Sequence, residues 1–403
     1  MFRMRIFEIV LLVLTLGYLA LFVPFALATI TQGHGLQLAN GNPAGGDFIN
    51  LYTAGRLVAE GRTNEIYVPD AFVAAEHETI SEDIGLRLWA YPPHSLFVAP
   101  LFGVLPYFAS LTLWSFLGLA VLMWGSRSVG IGWPLALALA LSPASLQSLY
   151  FGQTGNLATG LLLLSLSALL ADTKEGGPRG GLSAAALTFK PQFGVLLPFA
   201  WGLAGRWKSV LVAVAGSAAL AGLSALVFGV GPWRDYLFET MPLLTSLELD
   251  GSGAFVLMIP SLFMTLRIAG LAGEEALLWH GVFAALVFTS AIWGLWRRKP
   301  ASQRIAIALI GTSLITPYLH VYDMTLPLAG MMILAETDRK SGLSSLANIL
   351  LLLAIWALPH LLYDLNRSGL AVAPIVLGAA FVQALTKGPD NARPSENLNG
   401  VRD

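Results

Sequence analysis

Residues 7–30 read FEIVLLVLTLGYLALFVPFALATI, with Arg3 and Arg5 just before them. A membrane-crossing helix needs about 20 apolar residues, and this run is long enough. It also exceeds the ~7–15-residue apolar core of a secretory signal. It therefore reads as an uncleaved first span with its N-terminus inside; Ala26-Leu27-Ala28 keeps a cleaved signal as the alternative. The pattern recurs at residues 107–126, 132–150, 154–171, 210–228, 277–296, 301–317, 321–335, 343–363 and 370–386.

Composition agrees. Of 403 residues, 56% are hydrophobic and only 12% charged, and the mean hydropathy is +0.69. Soluble proteins carry about 25% charged residues, so there is too little charge here to coat a soluble globule. A soluble enzyme, a nucleic-acid binder and a disordered chain are excluded. The apolar runs do not alternate as the ~10-residue strands of a membrane barrel do. What remains is an all-α polytopic membrane protein. The net charge of −1 identifies no partner, and the lack of cysteine excludes disulfides, thiolate nucleophiles and cysteine metal sites.

Lys and Arg concentrate in cytoplasmic loops. Placing Arg127 inside leaves residues 31–106 as one large outer loop, and the runs at 132–150 and 154–171 then bring Lys174 and Arg179 inside. The stretch 181–204 carries Lys190-Pro191 at its middle. A mid-bilayer Lys is expensive and Pro breaks the helical ladder, so two short segments meeting near Lys190 at the outer face are expected. Residues 252–269 contain Pro260 and Arg267; reading them as a re-entrant or surface helix keeps Arg297-Arg298-Lys299, Arg339 and Lys340 inside. The result is one domain over 1–386 with about twelve spans and both termini cytoplasmic, followed by a polar tail over 387–403 that reads as cytoplasmic and disordered.

In this topology the unusual polar residues share one side. Asp47, Arg56, His94, Gln153, Asn156, Lys190, Gln192, Arg267, His320 and Asp323 all fall at outer span ends or in outer loops. Polar residues at membrane depth are functional by default. Gly45-Gly46-Asp47 opens a helical stretch to Glu60 whose Phe48, Leu51, Tyr52, Gly55 and Val58 share a face, as in a helix lying on the membrane surface. A second short helix is expected near residues 69–80.

Each candidate also has a structural reading. Asp47 stands where an N-cap belongs, so capping and catalysis are both open. Gly152-Gln153-Thr154-Gly155-Asn156 suits a tight turn. Lys190 can snorkel to the headgroups. His320 and Asp323 are spaced to satisfy each other at a helix start. The chain has no P-loop, HExxH, Gly-x-Ser-x-Gly or dinucleotide fingerprint and no Asp-x-Asp pair, so neither a metal nor a cofactor is indicated.

The order of these pieces resembles the family 87 glycosyltransferases. The resembling residues are Gly46-Asp47-Phe48 followed by Tyr52 and Ala54; Tyr91-Pro92-Pro93 with Pro100-Leu101 and Leu105-Pro106; Gly152-Gln153 followed by Asn156; Lys190-Pro191-Gln192 followed by Leu196-Leu197-Pro198; and Pro317 followed by His320, Tyr322 and Asp323. The resemblance implies a C-type glycosyltransferase architecture with an acidic residue in the first outer loop, here Asp47. It also implies a polyprenyl-phosphate sugar donor bound at the outer face of the cytoplasmic (inner) membrane, on the periplasmic or exterior side, and a lipid or glycan acceptor. Family members that transfer mannose carry a His-rich segment near the late motif, where this chain has His320 alone.

The residue types suit that chemistry. One carboxylate can take the acceptor's proton as general base, and one base without a second nearby carboxylate fits inversion in a single displacement. Charge developing on the leaving phosphate needs fixed donors or cations; Lys190, Arg267 and His320 are candidates, with Gln192 as a hydrogen-bonding neighbour of Lys190. The competing reading is a twelve-span secondary transporter or lipid flippase. Against it stand the large first outer loop, the one-sided polar residues and the lack of similarity between halves.

Overall fold

A computed structural model describes residues 2–80, 84–171, 177–297, 299–341 and 345–387. The positions of Lys174, Arg298 and the tail 388–403 lie outside the described residues, as do the side chains of Arg3 and Arg5. The described residues are helical and contain no strand, only isolated bridges at His34–Gln37 and Gln37–Pro43.

Among the described residues, five helices are long and apolar enough to cross a membrane: Phe7–Thr31, Tyr107–Ser128, Trp207–Phe228, Gly273–Trp296 and Leu346–Arg367. Three shorter apolar helices, Gly155–Leu170, Ala301–Ile315 and Ala373–Thr386, pack among them. The chain is thus a polytopic helical membrane protein. Its buried axis is made by Ala301–Ile315 and Thr325–Lys340, which are enclosed along most of their length. The long helices turn large apolar side chains outward, among them Phe116, Leu226 and Leu286. Lipid is as apolar as these side chains, so burial does not drive them inward.

Several expected spans are built from shorter pieces. Residues 132–150 form two helices, Trp133–Ala140 and Pro143–Tyr150. The break comes at Pro143, which has no amide to continue the ladder, and the Ser142 hydroxyl caps the second helix at Ser145 N (3.3 Å). Residues 181–204 break at Lys190, with the 3-10 turns Leu187–Phe189 and Pro191–Gly194 on either side. Within 252–269, helices Ala254–Leu257 and Leu262–Ile268 are each far too short to cross.

Many of the basic residues stand at one end of the bundle, while Arg56, Arg62, Arg87 and Lys190 lie with the opposite end, each paired with carboxylates. Helices Tyr107–Ser128 and Thr325–Lys340 both finish at the first of these ends. At that end Lys340 reaches the Gly130 carbonyl (3.5 Å), Arg339 pairs with Glu336 and Lys387 with Asp338. Lys299 bonds the Lys387 carbonyl (3.2 Å), and Arg206 bonds that of Ala171 (2.8 Å). The opposite end carries the 31–106 segment.

That segment has its own core, built on Phe48, Ile49, Leu57, Tyr67, Phe72 and Trp89 and seated on Tyr107 and Trp114. Helices Phe48–Ala59 and Pro69–His77 form where they are expected. The first differs in environment: Ile49, Ala54 and Leu57, off the apolar face read from the sequence, are buried too. It is therefore packed inside the segment's own core instead of resting on lipid by one face.

Candidate active site

The site starts from a crossing of two glycine turns. Gly46 (φ +53°) and Gly152 (φ +61°) both adopt left-handed backbone, which Gly enters without steric cost. They also lie backbone to backbone. A Cβ on Gly152 would stand 2.1 Å from the Gly45 carbonyl oxygen, and one on Gly46 would stand 2.7 Å from that of Phe151. The Asp47 amide donates to the Phe151 carbonyl (3.0 Å) across the crossing. Two residues of one helix pin it. Tyr107 donates to the Ala44 carbonyl (2.7 Å), and Trp114, two turns on, donates to that of Gly152 (3.0 Å).

This crossing puts Gln153 on Asp47: its Nε2 donates to Oδ2 at 2.5 Å. The other carboxylate oxygen takes Nη1 of Arg87 in an ion pair, while Nη2 of Arg87 holds the Asn42 side chain (3.1 Å). Asp47 occupies the N-cap position of Phe48–Ala59, yet its side chain makes no capping bond. Its oxygens are committed to a cation and an amide from distant segments, and the side chain stays 40% exposed, so a substrate can reach it. Between the two capping and catalytic readings of the sequence, the geometry removes simple capping.

The late motif closes against the same turn. Gly155 lies so close to Tyr322 that a Cβ there would sit 2.0 Å from the Tyr322 carbonyl oxygen. The Tyr91 hydroxyl contacts Thr154 Oγ1 (3.3 Å), and burial pushes the Tyr91 phenol well above its ordinary pKa. One residue past Tyr322, Asp323 accepts Lys190 Nζ at 2.8 Å, both side chains being nearly buried. Lys190 also lies over the rings of Phe193 and Tyr322, 5.1 and 5.5 Å from their centroids. Its charge is thus met within the protein, by a carboxylate, and needs no headgroup or ligand phosphate to offset it.

Asp323 also accepts the His320 amide (3.4 Å), the helix-start pairing expected from their spacing. The His320 ring stacks on Tyr322 at 5.0 Å. Its Nδ1 meets the Tyr318 carbonyl (3.2 Å), so Nδ1 is the donor and Nε2 an acceptor, buried without a partner. Burial lowers the imidazole to about 4, with Lys190 adding to the effect and Asp323 opposing it, so the ring is neutral. Glu248 Oε2 and the Tyr318 hydroxyl are likewise buried and unpartnered, and burial raises the Glu248 carboxyl to about 8.

The other expected residues divide. His94 Nε2 bonds Thr188 Oγ1 (3.1 Å), two residues from Lys190; burial lowers its pKa. Gln192 is exposed beside the Lys190 break. Asn156 is buried, its Nδ2 bonded to the Ser145 carbonyl (3.2 Å). Arg267 is not drawn into the cluster: its Nη1 bonds the carbonyls of Gly251 (3.1 Å) and Glu248 (3.4 Å), closing a helix end. Arg56 belongs to a surface network with Glu60 and Glu78. Arg87 belongs to no motif in the sequence. No group of His, Cys, Asp or Glu able to hold a metal occurs among the described residues.

In chemical terms the cluster is one reachable carboxylate oriented by a guanidinium and an amide, with the Lys190–Asp323 ion pair on the late motif that closes against the same turn. No curated protein matches the chain. Residues 89–317, more than half of it, match the family model described as "Glycosyltransferase family 87". That range takes in Arg87's neighbour Trp89, Gln153 and Lys190, while Asp47, His320 and Asp323 flank it. The chain is a membrane protein of glycosyltransferase family 87.

Proposed function

We propose that this glycosyltransferase moves a sugar from a polyprenyl-phosphate donor to a lipid or glycan acceptor at the outer face of the cytoplasmic membrane, with inversion and with Asp47 as general base. The observation that carries the reading is the Asp47 carboxylate: exposed, released from capping, and oriented by Arg87 and Gln153. In the displacement the acceptor hydroxyl oxygen bonds to the anomeric carbon while its proton passes to Asp47. The bond from that carbon to the phosphate oxygen breaks, and polyprenyl phosphate leaves with the electron pair. A positioned base of this kind contributes about 10²–10⁴-fold.

The unpartnered His320 Nε2, Tyr318 hydroxyl and Glu248 Oε2 suit sugar hydroxyls, which supply the missing partners. Gln192 and His94 flank the donor side. The Lys190–Asp323 pair acts as a clamp between the 190 break and the late motif, with a donor phosphate approaching the exposed edge of the break. Asn156 holds the turn that presents Gln153. Location at the outer face rests on the gathering of Lys and Arg at the other end of the bundle, which also puts the last described helix end, at Lys387, inside.

Profiling the lipid-linked and envelope glycans of a deletion strain, with and without the gene restored, tests the function. Loss of one sugar residue, recovered on restoration, is expected. An unchanged glycan profile together with altered accumulation of a small solute would instead favour transport.

A further inference from the structure

The sequence predicts that residues 252–269 lend Arg267 to the site, but that guanidinium closes a helix end instead. What this segment brings to the late motif is Phe255. It lies on Ala254–Leu257, one helical turn and far too short to span a membrane. Its ring centroid is 4.7 Å from that of His320, tilted by 47°. Tyr322 stacks on the same imidazole at 5.0 Å and 3°. The row Phe255–His320–Tyr322 thus leads to the Tyr322 backbone packed on Gly155, two residues from the Gln153 that holds Asp47.

The backbone around Phe255 is fixed by distant groups. The Met258 carbonyl accepts the Val321 amide (3.0 Å). Asn366 Nδ2 donates to the carbonyls of Leu257 (3.0 Å) and Ile259 (3.4 Å). Farther along, the Phe263 amide donates to His280 Nδ1 (3.2 Å), so His280 is the tautomer whose Nε2–H meets the Ile315 carbonyl (3.1 Å). The Phe263 ring lies nearly at right angles to that of Tyr318, 5.3 Å away. The segment is therefore bonded to the chain on both sides of Tyr318 and His320, which holds Phe255 in place against His320. Yet the Phe255 residue remains 47% exposed. An exposed Phe on a spanning helix answers to lipid. Phe255 stands off the spanning helices, against an imidazole, beside the stretch that carries the unpartnered His320 Nε2 and Tyr318 hydroxyl.

A sugar ring offers two kinds of surface: hydroxyls, and a face of C–H bonds with slight positive charge. The second suits the negative face of an aromatic ring. Small-molecule sites combine such apolar walls with a few placed polar groups. We propose that Phe255 contacts the sugar of the donor. The exposed face of its ring receives the C–H face of the transferred sugar, while the late motif serves the hydroxyls. Phe255 is thereby a specificity-determining residue, favouring glycosylated over bare polyprenyl phosphate. This inference rests on the polyprenyl-phosphate donor proposed above.

The test compares the binding of two kinds of lipid to the full-length protein in nanodiscs: polyprenyl phosphate carrying glucose, galactose or mannose, and bare polyprenyl phosphate. Dissociation constants come from exchange with radiolabelled lipid, for wild type, Phe255→Leu and Phe255→Tyr. With the ring half-exposed, both variants are expected to fold. Phe255→Leu keeps an apolar side chain but loses the ring. It should weaken binding of the preferred glycosylated lipid about three- to tenfold, the loss of one ring-face contact, and leave the bare lipid unchanged. Phe255→Tyr keeps the ring face and should keep the wild-type preference. Equal weakening of both lipids would make Phe255 a contact of the polyprenyl tail, and unchanged affinities would make it a lipid-facing anchor; either overturns the proposal and leaves the donor standing. Loss of the preference in both variants assigns the effect to packing and overturns it as well. A wild type that binds glycosylated and bare lipid equally, or neither, overturns the proposed donor and this inference with it.

Discussion

Removing the charge of Lys190 separates two accounts of that residue. Lys190 and Asp323 are 2.8 Å apart, with side chains 11% and 3% exposed. Lys190→Met keeps most of the stem and strands the Asp323 carboxylate, whose remaining side-chain partner among the described residues is the His320 amide at 3.4 Å. Breaking a buried pair from one side costs about 3–5 kcal/mol, because the partner is left as an uncompensated ion. Asp323→Asn strands the ammonium instead, with the Phe193 and Tyr322 rings to soften the loss by about 0.5–2 kcal/mol each. The double variant removes both charges, and neutral replacements of buried pairs are often tolerated. It should recover most of the stability, giving a coupling energy of roughly 3 kcal/mol. Denaturant unfolding in mixed micelles of the four proteins measures this. A Lys190→Met protein as stable as wild type but weaker for a polyprenyl-phosphate sugar would refute the clamp and return Lys190 to the donor phosphate.

Gly152→Ala should disable the site without unfolding the bundle: its Cβ would stand 2.1 Å from the Gly45 carbonyl oxygen at a φ of +61°, parting Gln153 from Asp47. Transfer should fall by at least tenfold while thermal stability drops by only about 1–3 kcal/mol; wild-type transfer would contradict the crossing. Glu76 should tilt stability against pH: its folded-state pKa of about 8 lies above its ordinary value of 4.5, so the contribution is complete below about 4.5 and is lost as pH rises toward 8, at about 1.4 kcal/mol per unit. Glu76→Gln should lack that slope, and parallel curves would contradict it. Single cysteines at the exposed Ser252 and Ala272, in a chain with no native cysteine, should both react with an impermeant reagent applied outside; protection of either would make 252–269 a crossing segment.

How far the sequence reached depended on the range of the interactions. The long apolar helices are legible because hydrophobic length is a local property, and Phe7–Thr31 and Tyr107–Ser128 fall close to where the runs begin and end. The break at Pro143 is equally local, yet hydropathy runs unbroken over 132–150 because it does not register a missing amide. The gathering of Asp47, Gln153, Lys190 and Asp323 at one end followed from charge sidedness alone. What joins Asp47 to Arg87 is contact across forty residues of chain. Arg87 sits in Ile84-Gly85-Leu86-Arg87-Leu88-Trp89, which has no helical period and matched no motif. Glu76, between Ala75 and His77, looks like an ordinary solvated charge; the available signal was its place four residues after Phe72, on the buried face of its helix. Local capping rules also misdirect at Asp47, because long-range partners take both carboxylate oxygens before the helix amides do.

The most direct test is transfer by purified Asp47→Asn. With labelled polyprenyl-phosphate sugar and acceptor-bearing membrane extract, the variant should insert and unfold as wild type does. Asn keeps one oxygen for the Gln153 amide but cannot accept the acceptor's proton, so the rate should fall by about 10²–10⁴-fold. Wild-type rates from a folded Asp47→Asn protein would contradict Asp47 as the base and, with it, the mechanism proposed for this site.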